Sequence, residues 1–212
     1  MKRLFFSLLC VLIVVVGFSA TLSGARAAYL VVIDAGHGGH DTGAVGAAGT
    51  LEKDLVLQVA KIVRLRSFAF PELSVVLTRT DDHYVELTGR TDIANVRQAD
   101  LYISIHANAH NDPRARGIET WISERLTGTK RSESLRLAQA LQGAMVETLQ
   151  PDKNRGVKAQ RLYLRHAKMP SALVELGFLT NPVEERTLNH LSYQVRAADA
   201  ILEGVLKYLN QR

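Results

Sequence analysis

Two histidines and a glutamate, His37, Glu52 and His106, are the residues of this chain best suited to chemistry in combination. Imidazole nitrogens and a carboxylate oxygen are ligands for catalytic zinc, and such a set leaves a fourth tetrahedral position for water. Closed structural zinc sites lean on cysteine, and the single cysteine, Cys10, lies in the N-terminal apolar run. A catalytic zinc acting as a Lewis acid is therefore the economical reading. Taken singly, each residue has a plainer explanation. A loop histidine is usually an ordinary polar residue, and a glutamate in the first turn of a helix is favoured by the helix dipole alone. Their joint placement is what points to a metal: His37 follows a strand, Glu52 opens a helix, and His106 ends another strand, where α/β folds place their sites.

Glu175 is a different kind of candidate. It sits in Ala172-Leu-Val-Glu-Leu-Gly-Phe178, an apolar stretch in which an unpaired carboxylate costs several kcal/mol or shifts its pKa upward. Two readings stand side by side. Glu175 is either a general base beside a metal site, or a structural residue paired with a neighbour such as Arg165 or facing solvent on an edge strand.

The elements that must position these residues follow from periodicity. Tyr29 to Ile33 reads as a buried strand opening into a glycine-rich loop from Gly36 to Gly49. Leu51 to Phe68 reads as a helix with Thr50 as its N-cap. Leu73 to Thr78 is a second strand, and Leu87 to Ala99 a second helix with Leu87, Ile93, Ala94 and Val96 inward. Leu101 to His106 alternates as a third strand, with Tyr102, Ser104 and His106 on one face. Gly117 to Ile122, Leu162 to Leu164 and Ser171 to Gly177 read as further strands, Ser132 to Leu149 and Val195 to Leu209 as helices. Strands alternating with helices predict a single α/β domain, with helices on both faces of a parallel or mixed sheet.

Composition narrows the rest. With 47% apolar and 22% charged residues in 212, the chain is globular rather than disordered or disulfide-rich. Lys2 and Arg3 precede an uncharged run from Leu4 to Ala25, and Ala25-Arg26-Ala27 has the small-x-small form of a cleavage site. Residues 1–27 are expected to be a signal peptide cleaved after Ala27, giving an exported, periplasmic or extracellular domain over residues 28–212 with no stable membrane insertion after cleavage. The competing reading is an uncleaved anchor. Cleavage removes Lys2, Arg3 and Arg26 from 26 basic residues and nothing from 21 acidic ones, leaving a net charge of +2. That is too little to suggest nucleic acid as a partner.

Five segments in order carry a family resemblance: Ile33-Asp-Ala-Gly-His-Gly-Gly-His-Asp-Thr-Gly-Ala44, Leu51-Glu-Lys-Asp54, Ser104-Ile-His-Ala-Asn-Ala109, Asn154-Arg-Gly-Val-Lys158 and Leu173-Val-Glu-Leu-Gly-Phe-Leu-Thr-Asn-Pro182. Together they resemble the zinc-dependent N-acetylmuramoyl-L-alanine amidases of bacterial cell walls across nearly the whole mature chain. The resemblance implies a mixed, roughly six-stranded sheet between helices. It aligns His37, Glu52 and His106 with the Zn2+ ligands and Glu175 with the catalytic glutamate. The implied substrate is peptidoglycan, cut at the amide between the lactyl group of N-acetylmuramic acid and L-alanine in wall remodelling, cell separation or autolysis. His40 is expected outside the ligand set, and His166 has no assigned role. Arg79, Arg90 and Arg155 are open between holding a stem-peptide carboxylate and pairing within the fold. Relatives with a zinc-blocking helix insert it after the strand at Gly117 to Ile122. Here only Ser123 to Arg131 intervenes, too short for such a helix, so no activator protein is expected to be needed; a monomer is expected as well. A catalytically silent wall-binding homologue and a zinc peptidase acting within the stem peptide are the rival readings.

Overall fold

The computed structural model describes residues 28–211; the expected signal peptide lies outside them. Strand β1 (Tyr29–Ala35) sends Val31, Ile33 and Ala35 to one face of the sheet and Val32 to the other, the period-2 alternation of an extended chain. Helix α1 (Glu52–Ser67) returns to β2 (Leu73–Leu77), and α2 (Leu87–Val96) to β3 (Leu101–Asn108). Then come β4 (Ile118–Ser123), α3 (Gly128–Leu149), β5 (Asn154–Gln160), a 3-10 turn over Tyr163–His166, β6 (Ser171–Phe178), α4 (Pro182–Leu188) and α5 (Leu191–Leu209).

The six strands form one mixed sheet in the order β2-β1-β3-β6-β4-β5, antiparallel only between β4 and β6. The larger core lies on one face, where Ile33, Ile103 and Val174 meet Val56 and Val63 of α1, Leu141 of α3 and Ile201 of α5. On the other face α2 and the 3-10 turn cover a smaller cluster of Val32, Tyr102, Leu164 and Leu173. This is the expected α/β domain with helices on both faces.

Several local expectations need correction. Leu51, not Thr50, is the N-cap of α1, and no side chain caps it; the backbone of Thr50 is instead taken up by Glu185. In α2 the buried positions are Arg90, Thr91 and Ala94, while Leu87 and Val96 are exposed. The buried carboxylate of Asp34 explains why a cation points inward there. Leu162 to Leu164 is not a strand but the approach to the 3-10 turn, and the fifth strand lies earlier, at Asn154–Gln160. The short helix α4 was not expected; Asn181 caps it, accepting from the amides of Val183 and Glu184, with Pro182 at the first helical position.

Register sets the site. His106 on β3 pairs with Glu175 on β6, which pairs with Glu119 on β4. Three polar side chains thus stand in a row across three adjacent strands, on the α2 face of the sheet.

Candidate metal centre and active site

The loop after β1 brings His37 to this row. Its backbone is left-handed (φ 58°), a conformation that costs a non-glycine residue about 1–3 kcal/mol and must be held by its surroundings. Arg90 is the clamp: it donates to the carbonyls of His37 (2.7 Å), Ala35 (2.8 Å) and Val85 (2.9 Å), and to Asp34 Oδ1 (3.0 Å). Arg79 adds donations to the carbonyls of Ala35, Gly36 and Lys53. Both arginines are almost fully buried, so both are fold-internal. Glycine is required where the loop approaches these side chains: a Cβ on Gly36 would lie 2.3 Å from the His106 ring, and one on Gly43 2.6 Å from Glu52 Oε2.

Asp34 anchors the clamp from beneath. Thr78, Ser104 and Tyr163 each donate to it at 2.7 Å. Burial opposes its charge, but the Arg90 guanidinium and these hydroxyls outweigh the cost and hold its carboxyl below the ordinary aspartate value.

His37, Glu52 and His106 converge. Their ligand atoms all lie within 4.8 Å of one another, a cluster that can hold a metal ion. Glu52 Oε2 is 3.2 Å from His37 Nε2, and Oε1 is 2.9 Å from His106 Nδ1. The amides of Ala44 and Ala107 also donate to the two Glu52 oxygens. Burial resists ionisation of Glu52, yet the hydrogen bonds and charges of His106 and His37 hold it well below the usual carboxylate range. His37 Nδ1 pairs with Asp41 Oδ2 at 2.9 Å, the outer carboxylate that commonly orients a metal-bound imidazole. The chemistry of the donors fits a divalent cation, and one further observation agrees: His106 Nε2 is buried without a partner among the described residues. His40 stays outside the cluster and packs on Tyr84. His166 sits in the 3-10 turn, where its carbonyl accepts from Asn95.

Glu175 stands beside this cluster in a contrasting environment. Its strand lies between β3 and β4, so it is not on an edge, and no cation pairs with it among the described residues. Its Oε2 is closed off from water and unpartnered, although the residue as a whole is partly accessible. Burial pushes its carboxyl well above the ordinary value, and the charges of Glu52 and Glu119 add to the rise.

A sequence profile of the N-acetylmuramoyl-L-alanine amidase family matches residues 31–207. The chain belongs to this amidase family. The amidase is 38% identical over 179 residues to the N-acetylmuramoyl-L-alanine amidase LytC of Bacillus subtilis, covering 84% of this chain but 35% of LytC. The crystal structure of the N-acetylmuramoyl-L-alanine amidase from Clostridium difficile 630 superposes with a TM-score of 0.81 at 39% identity, over 87% of this chain and 98% of that one. The CwlD amidase of Clostridioides difficile, solved in complex with the GerS lipoprotein, superposes at 0.78 with 30% identity, over 87% of this chain and all of that one. Zinc dependence is typical of the family, and its members act on peptidoglycan.

Sequence reasoning did not single out Asp41 or Glu119. An acid four residues after a candidate ligand was the available sign for Asp41. For Glu119, nothing in the sequence places it beside Glu175, because only the β4–β6 register does so.

Proposed function

We propose that the domain hydrolyses the amide between the lactyl group of N-acetylmuramic acid and the L-alanine of the stem peptide, with His37, Glu52 and His106 holding a catalytic zinc and Glu175 moving the proton. The observation that carries this reading is an unpartnered buried carboxylate one strand away from three converging metal-ligand side chains. Zinc, when bound, supplies Lewis acidity toward the scissile carbonyl and toward water. Glu175 has the high proton affinity of a base: it takes a proton from the attacking water and returns it to the alanine nitrogen as the C–N bond breaks. Asp41 fixes the ring of His37, and Arg90 fixes its backbone. The products are a free glycan carboxyl and a free peptide amine.

Residues 1–27 act as a signal peptide in this reading, and residues 28–212 form the exported amidase domain. Among the described residues no helix is long and apolar enough to cross a membrane. No activator protein is required, since only residues 124–127 separate β4 from α3 and leave no room for a blocking helix. The GerS-bound relative makes that a point to test directly.

The experiment is digestion of purified peptidoglycan by the purified domain alone, with and without a chelator, followed by mass spectrometry. Release of intact stem peptides beginning at L-alanine, abolished by chelation and restored by zinc, is expected. Cleavage inside the stem peptide, or inertness until a second protein is added, contradicts the corresponding part of the proposal. Sequencing of the exported protein should start at Ala28; a start at Met1 in the membrane fraction means an anchor.

A further inference from the structure

A hollow of about 290 Å³ opens beside Glu175 on the β4–β5 side, lined by Trp121, Arg155, Lys158, Gln160 and Phe178. Its floor is Glu119, only 2% exposed and fully engaged. Asn108 and the Trp121 indole donate to Oε1 at 2.6 and 3.1 Å, while Arg155 Nε and Lys158 Nζ share Oε2 at 2.6 and 2.5 Å. One carboxylate therefore meets two cations. A single cation would suffice to compensate a buried Glu119, and ordering a second long side chain costs rotamer entropy. The surplus positive charge faces the hollow: the Arg155 and Lys158 side chains are 23% and 32% exposed. Among the described residues Arg155 Nη2 has no hydrogen bond, and Lys158 Nζ donates to Glu119 alone. Both heads are held in place by rings, Arg155 4.8 Å from the centre of Phe178 and Lys158 5.0 Å from that of Trp121.

The register gives the distance from the reacting bond. Glu175 pairs with Glu119 across β6 and β4, and Trp121 pairs with Lys158 across β4 and β5. Strands lie about 4.8 Å apart, so β5 is roughly 10 Å from β6. An extended peptide covers that span in about three residues.

We propose that Arg155 and Lys158, held on Glu119, form a subsite for a free carboxylate on the stem peptide, two to three residues beyond the cleaved amide. The inference rests on the amidase reading and specifies its substrate: wall peptides with that carboxyl free are preferred over those in which it is amidated. Binding of a carboxylate fills the unused donors of Arg155 and neutralises the surplus charge, and a carboxamide does neither.

Trp121 is the only tryptophan in the chain, so its fluorescence reads the subsite without any cleavage. The probe is a synthetic stem peptide blocked at its C-terminus as the amide, with its remaining carboxyl groups either all free or all converted to carboxamides. The wild-type domain should bind the free form about tenfold more tightly or better, as expected for a charge-assisted contact. Arg155→Gln and Lys158→Gln should each bring the two affinities to within about threefold, while Arg155→Lys should keep most of the discrimination. Each single change leaves Glu119 one cation, and circular dichroism checks that the fold is kept. Equal affinity for the two peptides, no fluorescence response to either, or undiminished discrimination in well-folded Arg155→Gln overturns the subsite. Carboxylate-dependent binding by a protein that releases no peptide from the wall would sustain the subsite and sink the amidase reading instead.

Discussion

The two flanks of the site bury the same functional group under opposite conditions. On the β1–β3 flank every carboxylate is satisfied: Asp34 takes four donors, and Glu52 takes two imidazoles and two amides. Both are held below their ordinary pKa. On β6, Glu175 takes no donor on its buried Oε2 among the described residues and is raised well above its own. The lesson is one of division of labour. The contrast fits the proposed roles: a ligand that must stay charged and fixed is surrounded by donors, and a proton carrier that must gain and lose a proton is left without them.

The contrast breaks first at the ligands. His106→Ala should remove both metal and turnover, measured by elemental analysis and peptide release; a variant that retains zinc contradicts the ligand assignment. Next in size, Arg90→Met leaves buried Asp34 its three hydroxyl donors but no cation, which should cost about 3–5 kcal/mol in urea unfolding, and a loss under about 1 kcal/mol would mean that the clamp is not structural. The same flank sets the acid limit. Asp34 has a folded pKa below its ordinary 3.8, so its contribution is complete above about pH 4 and is lost as the pH falls through the lower folded value. Asp34→Asn should flatten the acid limb of a melting-temperature profile. Smallest in effect, Asp41→Asn should leave the fold intact and weaken metal binding about 10- to 100-fold by chelator competition, the usual effect of removing an outer partner; unchanged affinity would place Asp41 outside the site.

Much of the positioning was legible because strands buried on both faces advertise themselves. Tyr29 to Ile33, Leu101 to His106 and Ser171 to Gly177 are apolar or alternating, and each falls within an observed strand that extends one or two residues further. The edge strand β5 was not, since Asn154–Gln160 is largely polar and exposed or half-buried throughout, and of its side chains only Val157 packs on the main core. In α2 the pattern misled. Val96 is 83% exposed while Arg90 is buried, because an ion pair to Asp34, 56 residues away in the chain, outweighs local hydrophobicity. Glu175 could be read two ways from its apolar neighbours alone. Both structural alternatives required an edge position or a nearby cation, and only the sheet order and the hydrogen-bond pattern speak to those.

The central claim is that Glu175 is unpartnered for catalysis, and Glu175→Gln tests it most directly when melting, zinc content and amide cleavage are measured on the same protein. Zinc should be retained and turnover should fall at least about a hundredfold. Because no partner loses its mate, the melting temperature should be unchanged or raised by about 2–4 °C per kcal/mol of relieved burial. Near-normal turnover, or a loss of stability in the range of a broken buried ion pair, would contradict the account.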